Sequence, residues 1–179
     1  MDYININKAA WEGRTETHAQ SEMYDMEGFL RGESPLIPPL DYELLGNLCG
    51  KSLLHLQCHF GMDTLCIARQ GASQTVGADF SQSAIAKARE LNARLGMDVE
   101  FIQSDIYKLP EVLDQQFDIV YTSYGVIGWL GDLAEWGKII ARYLKPGGKF
   151  VMVEFHPMLW MLDEDFKNIK YPYSRKSPI

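Results

Sequence analysis

The sequence predicts a single α/β domain, in which a mostly parallel, doubly wound sheet carries helices on both faces. Three observations predict this fold. Short apolar runs alternate with helix-like segments, the helix-like segments are long enough to connect parallel strands, and polar residues follow the apolar runs. Because ligands of such folds bind beyond the carboxyl ends of the strands, we expect the functional site among those polar residues.

Strands and helices alternate from residue 51 onward. Ser52 to Gln57 is an apolar run suited to a strand buried on both faces, and residues 63–70 carry apolar side chains at helical spacing. A second strand ends at Asp79, and Ser81 is a good N-cap for the helix that Gly96 terminates. Further strands are predicted at 99–103, 117–123 and 149–155, and an amphipathic helix at 132–144 is broken by "KPGG".

The chain divides into three predicted parts. The segment Arg31 to Pro39 contains a glycine and prolines that forbid a regular helix, so it separates an N-terminal helical cap at 1–40 from the main domain at 41–156. A tail follows at 157–179. The cap is too polar to form a core of its own, and we expect it to pack on the main domain with Trp11 and Tyr24 as parts of a lid.

Composition excludes several classes of function. The 179 residues carry a net charge of -7 and no cluster of Lys and Arg, so the chain lacks the positive surface on which nucleic-acid binding depends. No apolar run approaches the roughly 20 residues of a membrane span, and the N-terminus shows no export signal. Three cysteines do not form a disulfide framework. We expect a cytoplasmic protein with reduced thiols and a small-molecule partner.

Two acids follow strands at positions where a nucleotide could bind. Asp79 lies about 20 residues after the first loop, the spacing at which a carboxylate takes the hydroxyls of a ribose. Alternatively, Asp79 caps the turn into the next helix. Asp105 follows the third strand, where a carboxylate can accept a hydrogen bond from the exocyclic amine of a base; alternatively, it is a turn residue.

Five stretches, in chain order, resemble a known family: "SLLHLQCHFGMDTL", "VGADFS", "FIQSDIYKLP", "FDIVYTS" and "LKPGGKFVMVEF". They look like the successive motifs of class I S-adenosylmethionine-dependent methyltransferases. The resemblance implies a Rossmann-like fold, S-adenosylmethionine as the cofactor, and methyl transfer to a small molecule. It implies ribose binding by Asp79, adenine binding by Asp105 and Ile106, and a methionine part above the first loop and near Ser123. The full set of predicted cofactor-binding residues is Gln57, His59, Gly61, Asp79, Phe80, Ser104, Asp105, Ile106 and Ser123.

The first loop departs from the family pattern. Acid-x-Gly-x-Gly-x-Gly falls here on His55, Gln57, His59 and Gly61, so one glycine remains. A dinucleotide fingerprint would need glycine at 57, 59 and 62, and none is present. Those glycines let the backbone approach a pyrophosphate. Because S-adenosylmethionine has no phosphate, their loss favours the methyl donor over NAD.

A zinc site is the rival interpretation of the same loop. His55, Cys58 and His59 are zinc-ligand residue types, but structural zinc sites use two separated pairs, and strand alternation sends His55 and Cys58 to opposite faces. We therefore predict no metal, and we interpret Cys58 and Cys66 as small buried apolar residues.

The end of the chain suggests a further alternative. Methyltransferases of this class normally add two more strands after the fifth, and we expect none in residues 157–179, so the sequence resembles a C-terminally truncated member. Such a chain could be a cofactor-binding module without catalysis. An edge carrying Val151, Val153 and Phe155 would be exposed unless the tail or a second copy, as in a homodimer, covers it.

Methyl transfer needs little beyond alignment of the acceptor, because the methyl group is already activated. If a base is required, His156 after the fifth strand is one candidate, because histidine titrates near neutral pH; alternatively it is a turn residue before Pro157. Tyr124 is the second candidate. We expect Tyr124, Trp129 and Trp160 to line the acceptor pocket, unless these aromatic residues belong to the core.

Overall fold

The structure is a computed structural model that describes residues 3–21, 24–33 and 37–174. The helices and strands of these residues are α1 (Tyr3–Ala19), α2 (Met26–Arg31), α3 (Pro39–Leu45), β1 (Ser52–Leu56), α4 (Met62–Ala68), β2 (Gln74–Asp79), α5 (Gln82–Arg94), β3 (Glu100–Gln103), β4 (Phe117–Ser123), α6 (Leu133–Tyr143) and β5 (Leu144–Val153). Short 3-10 helices lie at Ile106–Glu111, Ile127–Trp129 and Pro157–Met161.

The strands form one sheet in the order β3-β2-β1-β4-β5, and every neighbouring pair is parallel. Leu54 of β1 lies opposite Val76 of β2 on one side and Val120 of β4 on the other. The chain first builds the sheet outward from β1 through β2 to β3 and then returns to place β4 on the other side of β1. Strand order therefore reverses between β1 and β4, where doubly wound folds bind their ligands.

Helices cover both faces of the sheet, and each face has its own apolar core. Alternation along β1 sends Leu53 to the core formed with α2, α3, α4 and α5, and it sends Leu54 to the core formed with α6 and the helix at Ile106–Glu111. The predicted doubly wound, Rossmann-like fold is confirmed. Cys58 and Cys66 are buried in the first of these cores.

The fifth strand differs from its prediction. It begins at Leu144, directly after α6, because the chain through "KPGG" runs extended beside β4 with an irregular register near Phe117 and Ile119. A proline is tolerated there because β5 is an edge strand and need not donate on its outer side. Val151 is buried in a core, because strand side chains point to the faces of a sheet and not along its edge. Cover of this edge by a homodimer stays a prediction.

The N-terminal helices pack on the main domain. α1 is a helix of 17 residues, and α3 runs across the predicted boundary at residue 40. The Lys149 ammonium of β5 donates to the Leu44 carbonyl of α3 at 2.7 Å. The division into cap, main domain and tail therefore stays a prediction. Among the described residues, no helix combines the length and apolar character that crossing a membrane requires.

Candidate functional site

A cavity of about 350 Å³ lies at the carboxyl ends of the strands, beside the reversal between β1 and β4. Its floor consists of the ends of β1, β2, β3 and β4 and the loops that follow them, which contribute residues 57–63, 78–80, 104, 106–107 and 123–126. Residues from α1, together with Tyr24 and Trp129, close its other side. The volume is within the range of small-molecule sites.

The loop after β1 keeps a glycine-like backbone without the glycines. Gln57 and His59 both have φ of 52°, and Gly61 has φ of 73°, so alternate residues adopt the left-handed conformation. This conformation costs a residue with a side chain about 1–2 kcal/mol. The Nε2 atoms of Gln57 and His59 are buried without a hydrogen-bond partner among the described residues. Backbone strain and unpaired polar atoms cluster at functional sites, which makes this loop the strongest local signal of one.

Gly61 cannot be replaced without displacing its neighbours. A Cβ atom at this position would lie 2.5 Å from the Phe101 ring of β3 and 3.0 Å from the Ala88 side chain of α5. The surviving glycine thus permits the close approach of the loop to α5 and β3, in addition to its left-handed backbone.

Asp79 joins the loops that follow β1 and β2. Its carboxylate accepts from the His59 N–H at 2.9 Å and from the Ser81 N–H at 2.9 Å, and it lines the cavity although it is 7% exposed. Burial raises its pKa to about 6, against the opposing effect of these N–H groups. Asp79 can therefore both cap the turn into α5 and bind a ribose. Its carboxylate holds the two loops together and also lines the cavity.

A second carboxylate, Asp63, lies in the first turn of α4 and lines the same cavity. It accepts from the Ser123 hydroxyl of β4 at 3.2 Å. Desolvation raises the pKa of Asp63 to about 6, and the nearby Asp41 carboxylate adds to the increase. The cavity floor thus holds two carboxyl groups, Asp63 and Asp79, each with a pKa of about 6.

His55 of β1 lies under this part of the floor and is held at both ring nitrogens. Its Nδ1 is 2.9 Å from the Thr64 hydroxyl, and its Nε2 is 3.3 Å from the Ser123 hydroxyl. Burial lowers the pKa of both His55 and His59 to about 3, so neither imidazole carries a charge at neutral pH. The zinc hypothesis gains no support, since no three His, Cys, Asp or Glu side chains converge within the described part of the chain.

Tyr124 enters the cavity from the end of β4, also with a left-handed backbone at φ of 43°. Its hydroxyl donates to the Asp41 carboxylate at 2.6 Å, and the Tyr121 hydroxyl donates to the same carboxylate. Desolvation and this contact raise the pKa of Tyr124, so the phenol stays protonated. Asp41 is fully buried, and it ties α3 to the cavity wall.

Glu154 shapes the loop after β4. Its carboxylate accepts from the backbone N–H groups of Gly125 at 2.5 Å, Val126 at 2.7 Å and Ile127 at 3.0 Å. Gly125 and Val126 line the cavity. The acid that follows β5 therefore serves the site as a structural anchor.

The opposite side of the cavity is aromatic. The Trp11 ring of α1 contacts the rings of His59 and Trp129 edge-on, with centroids 5.3 and 5.5 Å apart. Asn7 donates to the Trp129 carbonyl at 3.1 Å, and Glu12 accepts from the backbone N–H groups of Gln82 and Ser83 at the start of α5, at 2.6 and 2.9 Å. α1 is thus attached at two points across the mouth of the cavity.

The structure brings most of the predicted site residues together. Those that line the cavity are Gln57, His59, Gly61, Asp79, Phe80, Ser104, Ile106, Ser123, Tyr124, Trp11, Tyr24 and Trp129. Three others lie outside its lining. Asp105 accepts from the Tyr107 N–H, His156 accepts from the Met158 N–H at the start of a 3-10 helix, and Trp160 is exposed beside Phe155. The alternative that Asp105 and His156 are turn residues agrees with these contacts.

Sequence reasoning missed Asp63, Asp41 and Glu154. Asp63 follows Gly61 so closely that the strand-end argument could have included it. Asp41 gave no signal, because its partners Tyr121 and Tyr124 are about eighty positions away in the chain. Glu154 lies at the end of the fifth predicted strand, but its anchoring role depends on the path of the neighbouring loop.

Comparison with protein families identifies the domain. The model of a family described as a methyltransferase domain matches residues 53–148. The chain belongs to this family. The matched span runs from β1 into β5 and contains the whole floor of the cavity.

Individual relatives agree with this assignment. The chain is 34% identical over 128 residues to a demethylmenaquinone methyltransferase of Lactococcus lactis, covering 69% of this chain and 50% of that protein. It is 30% identical over 118 residues to a ubiquinone biosynthesis O-methyltransferase of Pseudomonas entomophila, covering 65% and 50%. The chain thus spans about half the length of these relatives.

A solved structure shows the same fold. An S-adenosylmethionine-dependent methyltransferase from Mesorhizobium loti superposes with a TM-score of 0.61 at 27% identity, over 74% of this chain and 59% of that one.

Proposed function

We propose that the protein transfers the methyl group of S-adenosylmethionine to a small aromatic acceptor. One observation carries the proposal: the cavity at the strand reversal is lined by two carboxyl groups, Asp63 and Asp79, and by no Lys or Arg among the described residues. Such a wall favours a cationic ligand and disfavours the phosphates of NAD. Membership of the methyltransferase-domain family supports the same conclusion.

The residues of the cavity fit the parts of this cofactor. Asp79 would accept the ribose hydroxyls, Ile106 and Phe80 would contact the adenine, and the left-handed loop at Gln57 and His59 would pass under the methionine part. An adenine role for Asp105 stays part of the prediction. When bound, the cofactor supplies a methyl group on a positively charged sulfur. The protein supplies orientation, exclusion of water and a negative wall, which suffice when the reacting group is already activated.

The acceptor side of the proposal rests on the aromatic wall. Trp11, Trp129 and Phe155 line the cavity, and flat aromatic surfaces favour a planar ring as their partner. The named activities of two relatives, in menaquinone and ubiquinone biosynthesis, support an aromatic acceptor. The Tyr124 hydroxyl donates to Asp41, which leaves its oxygen free to accept a hydrogen bond from an acceptor hydroxyl. His156 lies outside the lining and its Nδ1 accepts from the Met158 N–H, so it is not our choice for a base. Cys58 and Cys66 are buried thiols, which fits a reducing cytoplasm.

The test is formation of S-adenosylhomocysteine from S-adenosylmethionine in the presence of a panel of hydroxylated aromatic acceptors. We expect product with at least one acceptor and none with the Asp79→Asn variant. Cofactor binding without product on any acceptor would favour the alternative, a binding module without catalysis. Binding of NAD in place of S-adenosylmethionine would contradict the proposal.

A further inference from the structure

The two carboxylates of the cavity, Asp79 and Asp63, differ in the hydrogen bonds that they accept from the protein. Asp79 accepts two backbone N–H groups, from His59 and Ser81, each at 2.9 Å. Asp63 accepts one side-chain hydroxyl, that of Ser123, at 3.2 Å. A desolvated carboxylate with a single neutral donor is far from satisfied, since it can accept about four hydrogen bonds. Of the two carboxylates in the floor, Asp63 is therefore the one that a cationic hydrogen-bond donor would stabilise more.

The hydrogen bonds beneath Asp63 all run toward it. When Asp63 is ionised, Ser123 donates its single proton to it, so the Nε2–H of His55 donates to the Ser123 oxygen. The Nδ1 of His55 then accepts from the Thr64 hydroxyl at 2.9 Å. This chain polarises toward the carboxylate and fixes one tautomer of His55, yet it brings no positive charge. Among the described residues, no Lys or Arg lines the cavity beside Asp63, so a cationic ligand is the group that would balance its charge.

The position of Asp63 in the fold selects a part of the ligand. Asp63 and Ser123 lie on the β1 and β4 side of the cavity, whereas Ile106 follows β3 on the other side of β2. With the adenine beside Ile106 and the ribose on Asp79, the end of the cofactor that reaches Asp63 is its amino-acid part. This assignment rests on the proposed function.

We propose that Asp63 binds the α-ammonium group of the cofactor and determines recognition of its amino-acid end. An ammonium group has three N–H donors, which match the unused acceptor sites of the carboxylate, and charged pairs of this kind are the stronger hydrogen bonds. The sulfonium has no N–H or O–H group and cannot supply that hydrogen bond. The neutral His55 occupies the acid position of the family pattern, and Asp63 supplies a negative charge beside it.

Three ligands isolate this contact. S-adenosylmethionine and S-adenosylhomocysteine both carry the α-ammonium group, and 5′-methylthioadenosine lacks the whole amino-acid part. We expect Asp63→Asn to weaken binding of the first two by about 10- to 100-fold and to leave the affinity for 5′-methylthioadenosine unchanged in calorimetric titrations. Asp165→Asn, which removes an exposed charge outside the cavity lining, is the matched control and should change none of the three affinities.

Other patterns of loss overturn the proposal. Equal loss of all three affinities would mean that Asp63 only shapes the cavity. Loss restricted to S-adenosylmethionine would assign Asp63 to the sulfonium, and retention of all three affinities would leave it without a ligand role. Thermal unfolding of the variant checks that the chain remains folded.

A measurement on the unaltered protein gives the same answer if the variant does not fold. The analogue of S-adenosylhomocysteine in which hydrogen replaces the amino group should bind about 10- to 100-fold more weakly than its parent. Equal affinity for both would overturn the proposal. The proposed function fails separately: it fails if the unaltered protein binds none of these ligands, or if it binds them and transfers no methyl group.

Discussion

The floor and the cover of the cavity are built on different principles. The floor consists of residues 57–63, 78–80, 104, 106–107 and 123–126. It holds left-handed residues, two desolvated carboxyl groups and the tightly packed Gly61. The cover, formed by α1 with Tyr24 and Trp129, is attached by hydrogen bonds of Asn7, Glu12 and Thr15, and it meets the floor through aromatic contacts such as that of Trp11 with His59.

This difference between floor and cover suits the binding of two different ligands, the cofactor and the methyl acceptor. The floor arises from strand ends whose positions the whole sheet determines, so it suits a ligand that never varies, such as a cofactor. The cover depends on a few side chains of one helix, and it suits a ligand that differs between related proteins, such as a methyl acceptor. Substitutions should therefore have large effects in the floor and small effects in the cover.

The same substitution, glycine to alanine, should have opposite effects in the two regions. Gly61→Ala should lower the free energy of unfolding by about 2–5 kcal/mol, because Cβ meets Phe101 and the backbone is left-handed. Gly13→Ala in α1, where no atom lies within 4 Å of the new Cβ, should raise it by about 0.5–1 kcal/mol. Urea unfolding measures both. Equal changes would show that floor and cover do not differ in packing.

Cofactor affinity should depend on the floor alone. Asp79→Asn should weaken binding of S-adenosylmethionine by about 100-fold, because a carboxylate that accepts two hydroxyls is lost. Trp11→Ala in the cover should leave this affinity nearly unchanged and raise the KM of the acceptor. Calorimetry gives the first quantity and steady-state kinetics the second. A large loss of cofactor affinity in the Trp11 variant would contradict the separation.

The floor should also make cofactor binding depend on pH. The pKa values of Asp63 and Asp79 are about 6, raised by desolvation, with the nearby Asp41 and Glu12 carboxylates opposing ionisation as well. A cation binds the ionised forms, so affinity should be constant above about pH 7 and fall by about tenfold per pH unit for each group below pH 6. Calorimetric titrations between about pH 5 and 8 test this. Affinity that stays constant across that interval would contradict the expectation.

Relief of strain in the floor should be measurable but modest. Gln57→Gly should raise the free energy of unfolding by about 1 kcal/mol, because it removes the left-handed strain and a buried unpaired amide nitrogen, offset by the greater freedom of glycine in the unfolded chain. Gln57→Ala retains the strain and is the control. A glycine variant no more stable than the alanine variant would show that the loop is not strained at this residue.

The smallest effect is expected where the cover is attached. Glu12→Gln should weaken the hydrogen bonds to the start of α5 and cost about 0.5–1 kcal/mol of local stability, as the loss of a helix cap does. Hydrogen exchange should become faster in α1 and stay unchanged in β1. Faster exchange in both would mean that floor and cover unfold together.

Much of the floor could be predicted from the sequence. Apolar runs located β1 to β4, and because parallel strands end at the same edge, the residues after these four strands were expected to lie together. The resemblance to methyltransferases then assigned them to the cofactor. Asp79 was identified by its spacing from the first loop. These arguments work because the positions follow from local pattern and from one rule of sheet topology.

The roles of the other site residues depend on contacts between segments that are distant in the sequence or on the direction in which a side chain points. An acid in the first turn of a helix ordinarily stabilises the start of that helix. The sequence alone therefore does not distinguish Asp63, which lines the cavity, from such an acid. Asp105 and His156 follow strands, yet both accept from the backbone two residues ahead, as turn and N-cap residues do. For His156, the following Pro157 at the first helical position was the available signal.

A crystal structure of the chain with S-adenosylhomocysteine bound tests the account most directly. We predict the ligand in this cavity, with its ribose hydroxyls on Asp79, its α-ammonium group on Asp63 and its sulfur toward the aromatic cover at Trp11. A ligand bound outside the cavity, or bound in reverse with the adenine at Asp63, would contradict it.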